Sequence, residues 1–358
     1  MKRALKLAVK GEGWVSPNPM VGAVIVKDGR ILGEGYHQRF GGNHAEVNAL
    51  NALSEPAAGA TMYVTLEPCS HYGKTPPCVD AIIERGLGRV VIGVPDPNPA
   101  VSGRGIGKLQ QHGVDITVGV LEDECRYLNE RFFRFMTAGV PFVTLKCAQT
   151  LDGRIATSSG HSRWVSSEPS LKFAHRLRAC HDAILVGIGT VFADDPELTV
   201  RRVGGRNPVR VVLDSRLKIS LDARVLREQE KTKTLVAVTP EHDAAKRREL
   251  EARGVETIVI PGDINGHVAL PELLAELGRR TISSVLVEGG AKIITAFLKA
   301  EQVDRFVAIT APKVLGRGIE TVGNLGSIIM GDAIQFTLQK VSRRGDDVIM
   351  DYRMKRKD

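Results

Sequence analysis

The sequence has 358 residues and no run of about 18 uncharged apolar ones, so no helix of ordinary length is expected to cross a membrane. Its first residues, MKRALKLAVKGEGW, carry Lys6 and Lys10 where a signal peptide would need an apolar stretch; a cytoplasmic location is expected. Cysteine is scarce. Five in so long a chain, an odd number without even spacing, do not make a disulfide framework. In a reducing compartment, cysteines close in sequence point to metal or redox chemistry, while Cys125, Cys147 and Cys180 read as plain buried thiols. There is no internal repeat and no low-complexity segment. A large surplus of one charge is missing too: 49 basic residues are offset by 41 acidic ones, a net of +8. The basic residues are scattered, so no nucleic-acid partner is expected, and phosphorylated small molecules explain the surplus equally well.

With 43% hydrophobic and 25% charged residues, the chain has the composition of a globular protein with a sizeable core. Its length predicts two domains. Residues 21–36, VGAVIVKDGRILGEGY, read as two strands around an Asp28-Gly29 turn. A helix over 44–53, strands over 61–67 and 89–94, a short helix from Cys78, and a helix and strand up to residue 120 give an alternating α/β pattern. One charged helix is predicted over 121–137, with a boundary near Gly139-Val140-Pro141. The second half restarts with a strand at 141–150. Apolar strands at 182–187, 207–215, 233–239, 256–262 and 283–290 alternate with helices at 168–180, 241–253, 271–280 and 291–300, a second α/β unit.

HAEVNALNAL (44–53) offers His44 and Glu46, and TLEPCSHYGKTPPC (65–78) offers Cys69 and Cys78. Alone, His44 reads as a satisfied helix histidine and Glu46 as a solvated charge. Together, one imidazole and two thiolates give Zn²⁺ three ligands with near-zero net charge and leave the fourth tetrahedral position to water, as catalytic sites do. A closed structural site would take a further ligand, for which His37 and His71 are candidates. Zinc lowers the pKa of bound water to about 7, and a proton carrier must stand beside it. Two residues along a helix rotate the direction by roughly 200°, so His44 and Glu46 can converge only off the helix end, where the metal is expected. Cys69 lies past a strand end, where open α/β sheets place ligands. Cys78 lies in a helix first turn, which favours a thiolate. Zinc deaminases carry H-x-E and P-C-x-x-C, the glutamate being general acid/base. Here Pro68-Cys69 matches, and the next cysteine follows eight residues, SHYGKTPP, instead of two.

SPNPMVGAVIV, HAEVNAL, TLEPCSHYGKTPPC and DPNPAVSGRG closely resemble the deaminase part of the bifunctional deaminase-reductase family of riboflavin biosynthesis, and the resemblance extends over essentially the whole chain. It implies a zinc-dependent pyrimidine deaminase domain over 1–139, with a cytidine-deaminase-like three-layer α/β/α fold. For 140–358 it implies an NADPH-dependent reductase domain with a dihydrofolate-reductase-like α/β fold. By that likeness His44, Cys69 and Cys78 bind zinc, Glu46 shuttles protons, and Asn18, His37 and Lys74 touch the substrate. The implied reaction removes the ring amino group of a diamino-pyrimidinone ribosylamine phosphate by hydrolysis, and NADPH then reduces the ribosyl group to a ribityl chain. A homo-oligomer is also implied.

The second half lacks a convincing G-x-G-x-x-G: GIGTVF (187–192) has Phe192 in place of the third glycine. VLVEGGAKIITAFL is the better phosphate cradle, with a strand ending at Glu288, two glycines, and a helix whose N–H groups point outward. Tight helix packing is the alternative reason for Gly-Gly. KCAQTLDGRIAT, HSRWVSS, GIGTVFADDPELTVR and TAPKVLG carry the resemblance onward. It implies that Gly289, Gly290, Ala291, Lys292, Ile293, Ile294 and Thr295 hold the NADPH pyrophosphate. Ala148, Trp164, Thr190, Asp194 and Ser215 would be further cofactor contacts. Ser162, Leu198, Arg201 and Glu288 would hold the substrate, with Lys146 catalytic near the sugar carbon. Two rival readings exist: a nucleic-acid (tRNA) editing zinc deaminase, and a non-catalytic zinc-stabilised nucleotide sensor. The long cysteine spacing and the second α/β half oppose the first; a sensor does not need Glu46.

Overall fold

Apolar arms flanking Asp28-Gly29 pair as an antiparallel hairpin, β1 (Gly22–Lys27) and β2 (Arg30–Tyr36), in a computed structural model that describes residues 1–72, 76–98 and 101–355. The chain divides into two compact units, Met1–Gly139 and Val140–Asp358. In the first, β3 (Thr61–Leu66), β4 (Arg89–Val94) and β5 (Asp115–Val118) complete a sheet in the order β2-β1-β3-β4-β5. β1 is antiparallel to β3, and β3, β4 and β5 are parallel. Successive residues of β1 face opposite layers: Ala23 and Ile25 join the main core with Ala49, Val79 and Ile82, while Val24 packs with Ala4 and Leu7 of the helix Lys2–Ala8.

The second unit contains β6 (Phe142–Thr150), β7 (Arg154–Thr157), β8 (Ala183–Gly187), β9 (Val209–Leu213), β10 (Thr234–Val238) and β11 (Glu256–Val259). β12 (Ser284–Val287), β13 (Arg305–Ala311), β14 (Gly318–Glu320), β15 (Phe336–Arg344) and β16 (Asp347–Met354) follow. Its main sheet runs β11-β10-β9-β8-β12-β6-β13-β16-β15. The seven strands from β11 to β13 are parallel, and β16 and β15 add an antiparallel edge. Continuous apolar runs suit strands covered on both faces: Leu185 belongs to one core cluster, Ile184 and Val186 to another.

Three features differ from the sequence reading. The helix expected over 121–137 is two, Glu122–Leu128 and Glu130–Ala138. Asn129, between them, accepts the Met20 N–H through Oδ1 (2.8 Å) and donates Nδ2 to the Met20 carbonyl (2.9 Å), which pulls its backbone out of the helix. Of GIGTVF, Gly187 closes β8 and the rest opens a short helix, Ile188–Asp194, that the sequence reading did not assign. Cys180 is half-buried, whereas Cys125 and Cys147 are buried.

Candidate active sites

In the first unit the helix Ala45–Asn51 lies close on β2, because a Cβ at Gly35 would sit 2.3 Å from the Ala49 nitrogen. His44 precedes that helix in extended conformation, and Glu46 lies in its first turn, buried. β3 ends at Leu66, three residues before Cys69, and Cys78 opens the helix Cys78–Glu84. The three side chains meet. His44 Nδ1 lies 3.5 Å from Cys69 Sγ and 3.4 Å from Cys78 Sγ, and all three donor atoms lie within 4.8 Å of one another. Zinc–nitrogen and zinc–sulfur bonds at a tetrahedral angle put those atoms about 3.5 Å apart; the donor set fits the ion in chemistry and in spacing. The Cys78 N–H also donates to Cys69 Sγ (3.3 Å).

The hydrogen bond from Cys78, opposed by burial and helped by His44, lowers the Cys69 thiol to about 4. Its partner Cys78 is raised by that same interaction and by burial. Burial first, then the neighbouring Cys69, pushes the Glu46 carboxyl up to about 7. His37, 1% exposed, does not serve as a further ligand: Nδ1 is 2.9 Å from the Asn43 carbonyl oxygen, which can only accept. That leaves Nε2 to accept from the Asn18 amide at 3.1 Å. Burial lowers the His37 pKa, and its ring meets that of His44 edge-on at 5.3 Å. His71 is exposed, and Lys74 lies outside the described residues.

In the second unit several of the expected residues lie on or just past parallel strands. Thr190 follows β8, Ser215 follows β9, Glu288 to Gly290 follow β12, and Lys146 and Ala148 lie on β6. Gly290 donates its N–H to Thr190 Oγ1 (3.1 Å). The helix Ala291–Lys299 starts with no side-chain cap, so its first N–H groups are available to an anion. A Cβ at Gly289 would lie 2.7 Å from Ile293 Cβ, whereas one at Gly290 would come no closer than 3.5 Å to Thr190 Oγ1. The side chains of Ile293 and Ile294 pack into the core. Thr295 Oγ1 bonds the Ala291 carbonyl and accepts the Gly323 N–H, and Lys292 is exposed.

Glu288 is held by a residue that the sequence reading missed. Arg178 grips it with two bonds, 2.8 and 2.9 Å, and Lys146 Nζ stands 3.8 Å away. His175, one turn earlier on the same helix, accepts the Arg201 N–H at 3.2 Å. Helical spacing of His175 and Arg178 was the available signal, yet it does not reveal Glu288 as the partner. Leu198 is buried in a core cluster. Ser162 Oγ lies 3.4 Å from Asp194 Oδ1, and Ser215 Oγ accepts the Val268 N–H. Trp164 is exposed, with Arg202 5.9 Å from its ring and its carbonyl held by Lys313.

Two family models match the chain: a cytidine and deoxycytidylate deaminase zinc-binding region over residues 1–94, and a RibD C-terminal domain over 141–350. The riboflavin biosynthesis protein RibD of Aquifex aeolicus is 45% identical over 99% of this chain and 97% of its own length. That of Escherichia coli is 43% identical, covering 98% and 97%. The chain belongs to the RibD family. Among solved structures, RibD of Acinetobacter baumannii superposes with a TM-score of 0.89 at 37% identity, covering 99% of this chain and 98% of that one. A Thermotoga maritima deaminase/reductase superposes with a TM-score of 0.87 at 41% identity, covering 99% and 97%. As a RibD-family protein it is a bifunctional riboflavin biosynthesis enzyme, a deaminase and a reductase in one chain, with Zn²⁺ and NADPH as cofactors. The fold class is α/β as expected, a unit matching the cytidine and deoxycytidylate deaminase zinc-binding region followed by a RibD C-terminal α/β unit. No described helix is long and apolar enough to cross a membrane.

Proposed function

We propose that residues 1–139 deaminate a diamino-pyrimidinone ribosylamine phosphate and that residues 140–358 reduce the ribosyl group of the product to a ribityl chain. The observation that carries this reading is the convergence of His44, Cys69 and Cys78 on one point beside the buried Glu46. When bound there, zinc supplies a Lewis acid that makes water acidic near neutral pH. Glu46 carries one proton from the attacking water to the ring nitrogen and then a second, from the hydroxyl now on the carbon, to the leaving amine, so that ammonia departs and a carbonyl remains. Asn18 and His37, locked to each other, orient the pyrimidine, and Lys74 meets its phosphate.

In the reductase, NADPH supplies a hydride when bound. Within the segment from Gly289 to Thr295, the N–H groups at the start of the helix Ala291–Lys299 take its pyrophosphate, with Thr190, Ser215, Ala148, Asp194 and Trp164 along the rest of its length. Lys146 donates a proton or orients the opening sugar, Glu288 and Ser162 hold sugar hydroxyls, and Arg201 with the Leu198 backbone meets the phosphate end. The partner is this small phosphorylated pyrimidine, with no nucleic acid and no membrane. The family likeness supports a homo-oligomer, and five free thiols support a reducing, cytoplasmic setting.

The test is elemental analysis of one preparation that is also assayed for ammonia release and NADPH consumption. About one zinc per chain with both activities is expected; ammonia release from zinc-free protein would overturn the reading.

A further inference from the structure

Glu67 lies two residues before Cys69, is 3% exposed, and has no part in the roles assigned above. Its own N–H extends β3 onto β4 by donating to the Val94 carbonyl (3.0 Å). Its side chain turns to the segment after β4. Oε2 accepts the N–H groups of Asp96 (3.2 Å) and Gly103 (3.1 Å). Oε1 accepts those of Gly105 (3.0 Å) and Ile106 (3.3 Å). A carboxylate offers about four lone-pair sites, and the main chain of one segment takes them all.

Two of these donors belong to the first turn of the helix Arg104–Gln111, which begins at Gly103 with no side-chain cap of its own. Glu67 therefore caps it from another element. The fit is close: a Cβ at Gly105 would lie 2.2 Å from the Pro68 carbonyl oxygen and 3.2 Å from Glu67 Oε1. A Cβ at Gly107, on the same helix, would meet nothing within 4 Å. By accepting the Asp96 N–H, the Glu67 carboxylate also fixes Asp96, a side chain near enough to Cys69 and His71 for their charges to act on it.

We propose that Glu67 is a positioning residue of the deamination site: its carboxylate clamps Asp96 and residues 103–106 beside Cys69, giving the substrate a preformed wall. The inference rests on the deaminase reading above. Its test compares full-length, zinc-loaded enzyme with Glu67→Gln, Gly105→Ala and Gly107→Ala by zinc content, ammonia-release kinetics and NADPH oxidation on deaminated substrate. An amide keeps one acceptor oxygen and turns an NH₂ towards N–H donors. Glu67→Gln is expected to keep its zinc and its reductase rate, to raise KM for deamination about tenfold while kcat changes by less than about threefold, and to speed amide exchange over residues 101–106.

Gly105→Ala is expected to reproduce the KM defect with Glu67 intact, and Gly107→Ala to match the unmodified enzyme. An unchanged KM in Glu67→Gln overturns the proposal, and so does a KM defect of equal size in Gly107→Ala. Should Glu67→Gln fail to fold, Gly105→Ala decides: a raised KM supports the clamp and an unchanged one overturns it. An unmodified chain that releases no ammonia overturns the deaminase reading itself, whereas an active one beside a Glu67→Gln chain of equal KM overturns only the clamp.

Discussion

Glu288 is a carboxylate that folding takes out of water and still keeps charged. Burial pushes its pKa up, but the attraction of Arg178 and then Lys146 outweighs burial and leaves it at about 2. An unfolded glutamate titrates near 4.3. Because the folded value is the lower one, the pair's stabilisation is fully present above about pH 4.3 and is lost as the pH falls to about 2, an effect of about 3 kcal/mol. His175 acts in a higher window. Burial, followed by the charges of Arg178 and Arg201, lowers it to about 4. Between about pH 6.5 and pH 4 the unfolded chain takes up a proton that the folded one refuses, so stability falls there too. Scanning calorimetry of the reductase transition is expected to show Tm declining through both windows. His175→Gln is expected to abolish the upper decline and spare the lower, and identical curves would contradict this account. At the other site, Glu46→Gln is expected to slow ammonia release by about 10²–10⁴-fold while zinc content and NADPH oxidation on deaminated substrate persist. The cluster of His44, Cys69 and Cys78, with Glu46 two residues after His44, was legible because its members sit in short motifs of fixed spacing. Arg178 was not, since its partner is 110 residues away.

At the scale of elements, the turn after β12 separates the two glycines that one motif joins. Gly289→Ala must push Ile293 and the helix Ala291–Lys299 off the sheet. It is expected to cost about 1–3 kcal/mol in denaturant unfolding and to raise KM for NADPH. Gly290→Ala has room for its methyl group and is expected to leave stability within about 0.5 kcal/mol. Strands and helices with strong periodicity were readable from sequence, among them β4 and the helix Glu168–Cys180. The break at Asn129 was not, because both bonds that cause it go to Met20, 109 residues away. Nor was β15: most of its residues are exposed, so no alternation of apolar and polar marks it as a strand.

At the scale of the molecule, no core cluster of the described residues draws on both units. Each sheet has its own apolar interior, and each carries its own candidate site. Chelation of the full chain is therefore expected to abolish ammonia release and to leave NADPH oxidation on deaminated substrate within about twofold. Loss of both rates together would show that the two chemistries share a support.

The meeting of Cys69 and Cys78 has one more consequence. Sulfurs brought near enough to ligate one ion are near enough for an oxidant to couple, so the cation also acts as a preservative. After chelation and storage in air, thiol titration in denaturant is expected to fall from five groups per chain to three, with a reductant restoring the count and zinc, added beforehand, preventing the loss.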